Sequence, residues 1–221
     1  MTRVSVIIPA YNEEQRLAAT IESVRTIPFS HEIICVNDGS SDQTAKIAEE
    51  LADTCVHLPV NRGKGQALQM GWKLAKGMYI LCLDADLTHT AAEATVLLEP
   101  LMEKRADLTI SKIVSKGNGG RGIVKQRAQK IIHKQTGIWL EAPLSGQRAF
   151  QRRWLRLLLS RPYDGFGIET IMCLHMIQGG ARLLEIETSM EHREMGKSVS
   201  GILHRLRQWR QIEKQWRRES I

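Results

Sequence analysis

Asp84-Ala85-Asp86 follows directly on an apolar run, Tyr79–Leu83. In extended backbone, side chains two residues apart point to the same side, so this spacing converges two carboxylates on one spot. Uncompensated, they repel, and one of their pKa values should rise. A hard divalent cation removes the conflict: Mg²⁺ commonly takes one or two carboxylates and completes its shell with substrate phosphates. The plainer reading of an isolated D-x-D is a solvated acidic turn. Three more polar clusters stand in comparable places: Pro9-Ala10-Tyr11-Asn12-Glu13, Asn37-Asp38-Gly39-Ser40-Ser41-Asp42 and Asn61-Arg62-Gly63-Lys64-Gly65. The last matches neither G-x-x-x-x-G-K-[ST] nor G-x-G-x-x-G, because position 68 is Leu. Lys64 beside a helix N-terminus is an anion contact, or simply part of a tight turn.

The elements that must carry these clusters are legible from periodicity. Val4–Ile8, His31–Asn37, Thr54–Leu58, Tyr79–Leu83 and Asp107–Val114 read as strands. Between them, Glu13–Thr26, Asp42–Leu51 and Gly65–Ala75 have helical spacing, and Thr90 with Glu93 forms a capping box for a helix reaching Met102. Leu144–Phe150 and Arg182–Glu187 read as strands, and Ile123–Gln135, Arg152–Leu159 and Ile168–Gln178 as helices. The glycine-rich stretch 115–122 reads as a loop. This alternation predicts an α/β fold whose mixed, mostly parallel sheet is flanked by helices. In such a sheet ligands bind outside the carboxyl ends of the strands. Four consecutive strand ends deliver the polar clusters to one rim.

Composition narrows the field. The chain has 221 residues, of which 43% are hydrophobic and 25% charged, as expected of a globular protein. Its net charge of +7 is unevenly divided: residues 1–110 carry 10 Lys+Arg and 15 Asp+Glu, residues 111–221 carry 21 and 9. No apolar run approaches the roughly 18–20 residues of a membrane span, and no secretory signal is expected. The four cysteines form no C-x-x-C pair and are expected to be free thiols. Residues 1–200 are expected to form one domain, and 201–221 a basic C-terminal helix. There Ile202, Leu203, Leu206, Trp209, Ile212 and Trp216 recur at helical spacing among Arg and Lys. That helix either docks on the domain or lies, through residues 202–218, in an anionic membrane interface. No nucleic-acid motif is present, so no nucleic-acid partner is expected.

Taken together, the chain resembles a family 2 glycosyltransferase of GT-A fold. The resemblance rests on Val6–Glu13, Val36–Asp42, Asn61–Gly65 and Leu83–Asp86. Leu144-Ser145-Gly146-Gln147-Arg148-Ala149-Phe150 and His192-Arg193-Glu194-Met195-Gly196-Lys197-Ser198 extend it toward the polyprenyl-phosphate sugar synthases, the dolichol-phosphate-mannose-synthase-like branch. It departs from that branch at Ala142 and Gln147.

The resemblance implies hexose transfer from a UDP- or GDP-linked sugar to an acceptor, a polyprenyl phosphate or another phosphorylated or cell-envelope acceptor. It implies that Pro9, Tyr11, Glu13, Asp38 and Lys64 line the nucleotide site. Asp84 and Asp86 would hold Mg²⁺ or Mn²⁺, and Arg148, Arg193 and Lys197 would face phosphates. Glu169 is the candidate base for a hydroxyl acceptor; its plainer reading is a carboxylate favoured by a helix start. The expected location is cytoplasmic, peripheral on the inner face of the membrane. A sugar-phosphate nucleotidyltransferase and a non-catalytic membrane- or nucleic-acid-binding module are the alternatives.

Overall fold

A computed structural model describes residues 3–113, 122–163 and 167–191. Arg193, Lys197, the tail 202–218 and most of the 115–122 loop lie outside the described residues.

Seven strands form one sheet: β1 (Val4–Ala10), β2 (His31–Asn37), β3 (Thr54–His57), β4 (Tyr79–Cys82), β5 (Leu108–Ile113), β6 (Arg148–Gln151) and β7 (Leu183–Thr188). Their spatial order is β3-β2-β1-β4-β6-β5-β7. β1, β2, β3 and β4 run parallel, as do β5 and β7, while β6 is antiparallel to both β4 and β5. The chain steps outward from β1 to β3, then returns to place β4 on the other side of β1. That reversal opens a crevice between β1 and β4, the place where open α/β sheets take ligands.

Strand side chains alternate between two cores. Val4, Val6 and Ile8 enter one with α1 (Leu17–Arg25), a 3₁₀ helix at Thr88–Leu97 and α4 (Glu99–Met102). Ile7, Ile34, Val36 and Ile80 enter the other with α3 (Lys64–Leu74), α6 (Leu155–Leu159) and α7 (Ile168–Gln178). There Trp72 is 1% exposed and packs edge-on against Phe150 and Tyr163. Helices α2 (Thr44–Leu51) and α5 (Gly122–Thr136) complete the layers. Burial on both faces explains why the strands read as continuous apolar runs.

Three expectations are corrected. The first helix starts at Leu17, because residues 14–16 form a turn. The Thr90–Glu93 capping box does not form. The Thr90 hydroxyl donates to the Leu87 carbonyl, and Glu93 accepts from the Ser189 amide and hydroxyl. Thr95 likewise donates to the Ala92 carbonyl, and the expected α-helix becomes 3₁₀ up to Leu97; such local bonds compete with α-helical ones. Finally, the strand expected at 144–150 is confined to Arg148–Gln151, because the residues before it turn toward the end of β4.

Asp107 ties the far end of the sheet together. Its Oδ2 accepts from the Arg182 amide (2.9 Å) and Nε (3.1 Å), and its Oδ1 from Arg153. Burial would raise its pKa, but the hydrogen bonds from Arg182 and Arg153 outweigh this and hold it below the usual carboxylate value. A lowered folded pKa stabilises above the unfolded value, about 3.9, and the effect disappears as pH falls through the folded value. Asp107→Asn is therefore expected to cost about 2 kcal/mol at pH 7, as for hydrogen bonds to a charged group. The difference from wild type should be smaller at about pH 3 than at pH 7, because the unfolded-state carboxylate begins to bind its proton below about 3.9. Thermal unfolding at both pH values checks this; an equal difference at both refutes it.

Candidate active site

The polar rim is built loop by loop. After β1, Asn12 adopts a left-handed φ of 55°, a conformation Asn tolerates better than most residues. Its amide donates to Ser40 Oγ (3.0 Å), and its Oδ1 accepts from the Ser41 amide (2.9 Å). The Glu13 amide donates to Thr44 Oγ1 at 2.8 Å. These bonds lock the Pro9–Glu13 segment to the loop after β2. Tyr11 stands on the rim, 47% exposed.

Asp38 is buried, and its carboxylate organises the next loop. Oδ1 accepts from the Arg62 amide (2.7 Å) and Oδ2 from the Gly63 amide (2.8 Å). Burial raises the Asp38 pKa, with these two amide donors pulling the other way. Gly39, at φ 70°, packs so closely on this loop that a Cβ would lie 2.6 Å from the Asn61 nitrogen. Only glycine meets both demands. The loop hands the chain to α3, whose first residue is Lys64.

The strand β4 ends at Cys82, and residues 85–86 form a turn rather than continuing extended. Alternation nonetheless persists: Ala85 and Leu87 are buried, while Asp84 and Asp86 are partly exposed. Thr20 of α1 fixes the turn from beneath. Its hydroxyl donates to the Ala85 carbonyl and accepts from the Thr88 amide, both at 2.8 Å. Asp84 and Asp86 are thus both partly open to solvent on the turn that follows β4. His89, beside this turn, is exposed and places its imidazole 3.3 Å from the Thr88 hydroxyl.

Antiparallel pairing supplies the wall. Cys82 pairs with Arg148, so the residues before β6 arrive next to Asp84. Gln147 Nε2 donates to Asp84 Oδ2 at 2.8 Å. Lys64 Nζ lies 2.5 Å from Asp84 Oδ1 and 2.8 Å from Glu169 Oε1. Burial alone would lower the Lys64 pKa; the two carboxylates outweigh it and hold the ammonium charged, above its ordinary value. Gly146 makes room for this pair: a Cβ there would lie 2.4 Å from Asp84 Oδ2 and 2.5 Å from Lys64 Nζ. Nothing in the periodicity marked Gly146; the clash with Asp84 needs β6 in register to be seen.

Arg148 departs from its expected role. It is 2% exposed, and its guanidinium donates to the main-chain carbonyls of Ser145 and, at 2.9 Å, Glu169. In this conformation it joins the β6 entry to the start of α7 instead of facing the rim. Glu169 lies in the first turn of α7 behind Gly167, which has a φ of 111°. Its side chain reaches Lys64, so it belongs to the site as well as to the helix start.

The donor set suits one class of metal. Among the described residues no three acidic, His or Cys side chains cluster as a metal cage. Two neighbouring carboxylates suit a hard cation that completes its shell with phosphate oxygens and water, not a tetrahedral zinc site. A groove of about 920 Å³ lies elsewhere, lined in part by Trp72, Met78, Tyr79, Arg152 and Arg156. Tyr79 opens β4 and Asp84 follows its end, so groove and rim lie at opposite ends of that strand. The carboxylate chemistry is at the rim. All four cysteines are free thiols, and none joins the contacts described at the rim.

Known proteins match this arrangement. The family model described as glycosyl transferase family 2 matches residues 5–159. Glycosyltransferase AglJ of Haloferax volcanii is 31% identical over 207 residues, covering 89% of this chain and 66% of its own length. An undecaprenyl-phosphate 4-deoxy-4-formamido-L-arabinose transferase of Aeromonas hydrophila is 26% identical, over 91% of this chain and 64% of its own. The chain thus spans just under two thirds of the length of those two relatives. Polyprenol monophosphomannose synthase of Mycolicibacterium smegmatis is 28% identical, covering 89% of this chain and 80% of its own. Among solved structures, glucosyl-3-phosphoglycerate synthase of Mycobacterium tuberculosis, in complex with Mn²⁺ and UDP-glucose, superposes with a TM-score of 0.77. The identity is 21%, over 97% of this chain and 79% of that one. The mixed sheet flanked by helices is therefore the fold of these neighbours.

Proposed function

The chain belongs to glycosyl transferase family 2, and from that membership we propose that it transfers a hexose from a UDP- or GDP-linked sugar to a polyprenyl phosphate. The observation that carries the proposal is the meeting of Asp84, Lys64 and Glu169 beside the Asp38-organised loop that leads into α3. Relatives named undecaprenyl-phosphate 4-deoxy-4-formamido-L-arabinose transferase and polyprenol monophosphomannose synthase support the acceptor class. A neighbour of the same fold crystallised with Mn²⁺ and UDP-glucose supports the donor and metal classes.

In this reading Pro9, Tyr11, Glu13 and the Asp38–Lys64 wall receive the nucleotide. Mg²⁺ or Mn²⁺, held by Asp86 and Asp84, would serve as a Lewis acid for the departing diphosphate. Lys64 sits within reach of the same charge and adds a donor that strengthens as it develops. A phosphate acceptor is already an anion and needs no base, so Glu169 serves to hold Lys64. With a hydroxyl acceptor Glu169 would take the proton. Arg193 and Lys197 remain proposed phosphate contacts from the sequence resemblance. The basic stretch 202–218 is the proposed contact with an anionic membrane on its cytoplasmic side; no described helix is long and apolar enough to cross one.

Calorimetry with UDP-glucose and GDP-mannose, with and without Mn²⁺, tests the donor site. Transfer of labelled hexose to undecaprenyl phosphate tests the acceptor. Metal-dependent binding of one donor is expected. Absence of binding for both donors with Mn²⁺ present would defeat the proposal. Pyrophosphate release from a nucleoside triphosphate and a sugar phosphate would replace it with nucleotidyl transfer.

A further inference from the structure

We infer that Lys64 is a tethered counter-cation competing with the metal for Asp84, so that the divalent cation enters together with the nucleotide diphosphate and not before it. The inference rests on the donor site proposed above and adds an order of binding to it.

Both oxygens of Asp84 are engaged. Oδ1 meets Lys64 Nζ at 2.5 Å, and Oδ2 accepts from Gln147 at 2.8 Å. Lys64 is held from its other side by Glu169 at 2.8 Å. The three charged side chains are 20%, 25% and 11% exposed for Lys64, Asp84 and Glu169, so water screens them poorly. Gly146 backs the pair so closely that a Cβ would collide with both partners. The absence of a side chain there is what lets the ammonium reach the carboxylate.

A divalent ion approaching Asp84 meets this ammonium, and whether the lysine stays or is displaced its charge stands beside the ion and repels it. Asp84 and Asp86 alone also leave most of a six-coordinate shell unfilled, and no third acidic, His or Cys ligand joins them among the described residues. A diphosphate answers both problems. Its oxygens complete the shell and accept the hydrogen bonds of the lysine. Metal and nucleotide therefore couple positively, and the coupling is reciprocal.

The test is Mn²⁺ binding followed by electron paramagnetic resonance on the full chain, with and without UDP and GDP. In wild type the matching nucleotide should tighten Mn²⁺ at least about tenfold, within the usual range of coupling between sites. Lys64→Met should bind Mn²⁺ alone about tenfold more tightly than wild type does. Equal affinity of the two proteins for Mn²⁺ alone overturns the inference. So does tight, nucleotide-independent Mn²⁺ binding by wild type, which leaves the donor site itself standing. No Mn²⁺ binding with either nucleotide removes the donor site, and the inference with it. Should Lys64→Met not fold, wild type labelled with ¹⁵N-lysine decides. The Lys64 ammonium signal should move with Mg²⁺ plus nucleotide and stay with Mg²⁺ alone; movement with Mg²⁺ alone overturns the inference.

Discussion

Asp86→Ala is expected to lower the rate of hexose transfer about 10³-fold while leaving the fold intact. The leaving diphosphate gathers negative charge as the sugar–phosphate bond breaks. A bound cation offsets several kcal/mol of that charge, and each 1.36 kcal/mol is a factor of ten. Asp86 is partly exposed, between the buried Ala85 and Leu87, so removing its carboxylate opens no core. The melting temperature should stay within about 2 °C of wild type, as for substitutions outside the core. Asp84→Asn should be milder, because an amide keeps the partnership with Gln147 and loses the ionic one with Lys64. Steady-state transfer assays with Mn²⁺, together with donor calorimetry, measure both. A turnover of Asp86→Ala within threefold of wild type, with metal-dependent donor binding intact, would remove Asp86 from the chemistry.

Arg148→Ala is expected to destabilise the protein by about 3 kcal/mol, the range for breaking a buried, charged hydrogen-bond network. For a chain of this size that is roughly 6–12 °C in melting temperature. The guanidinium is buried and donates to the Ser145 and Glu169 carbonyls. Truncation leaves these acceptors without their donor and opens a cavity beside Cys173 and Met172. Because Ser145 adjoins Gly146 and Glu169 holds Lys64, turnover should fall as well, with little change in the KM for the donor. The contrasting outcome is equally readable: an unchanged melting temperature with a raised donor KM would place Arg148 against phosphate. Arg148→Lys should recover only part of the stability, since one ammonium cannot span both carbonyls as the planar fork does.

The elements were legible where they obey one simple rule. Helix α7 spans Ile168–Gln178, the range expected from the sequence, and β1 to β4 fall on the expected apolar runs. The candidate site was legible in its residue types: Asp38 and Asp84 follow the ends of β2 and β4, Asp86 lies in the turn beyond, and Lys64 opens α3. Failures came where side-chain hydrogen bonds, distant or local, overrode the simple pattern. Glu93 is a correct capping-box residue by local spacing, yet Ser189, 96 positions away, takes its carboxylate. The 3₁₀ geometry of Thr88–Leu97 follows from threonine hydroxyls that bond three residues back, a choice that periodicity does not register.

By itself, then, the sequence determined the α/β alternation and the polar strand ends, and it singled out Asp84 and Asp86 as candidate metal carboxylates. Each is encoded within about ten residues, as periodicity or as motif. Only the tertiary structure decided which charges meet. Lys64, Asp84 and Glu169 are brought together by the pairing of antiparallel β6 with β4 and by the packing of α7 behind them. Arg148 and Asp84 illustrate the difference. Both are charged residues in recognisable motifs, but register turns one inward to main-chain carbonyls and leaves the other at the crevice. Whether a charge serves structure or substrate depends on the desolvation and the partners it meets in the fold, and those are set by long-range contacts.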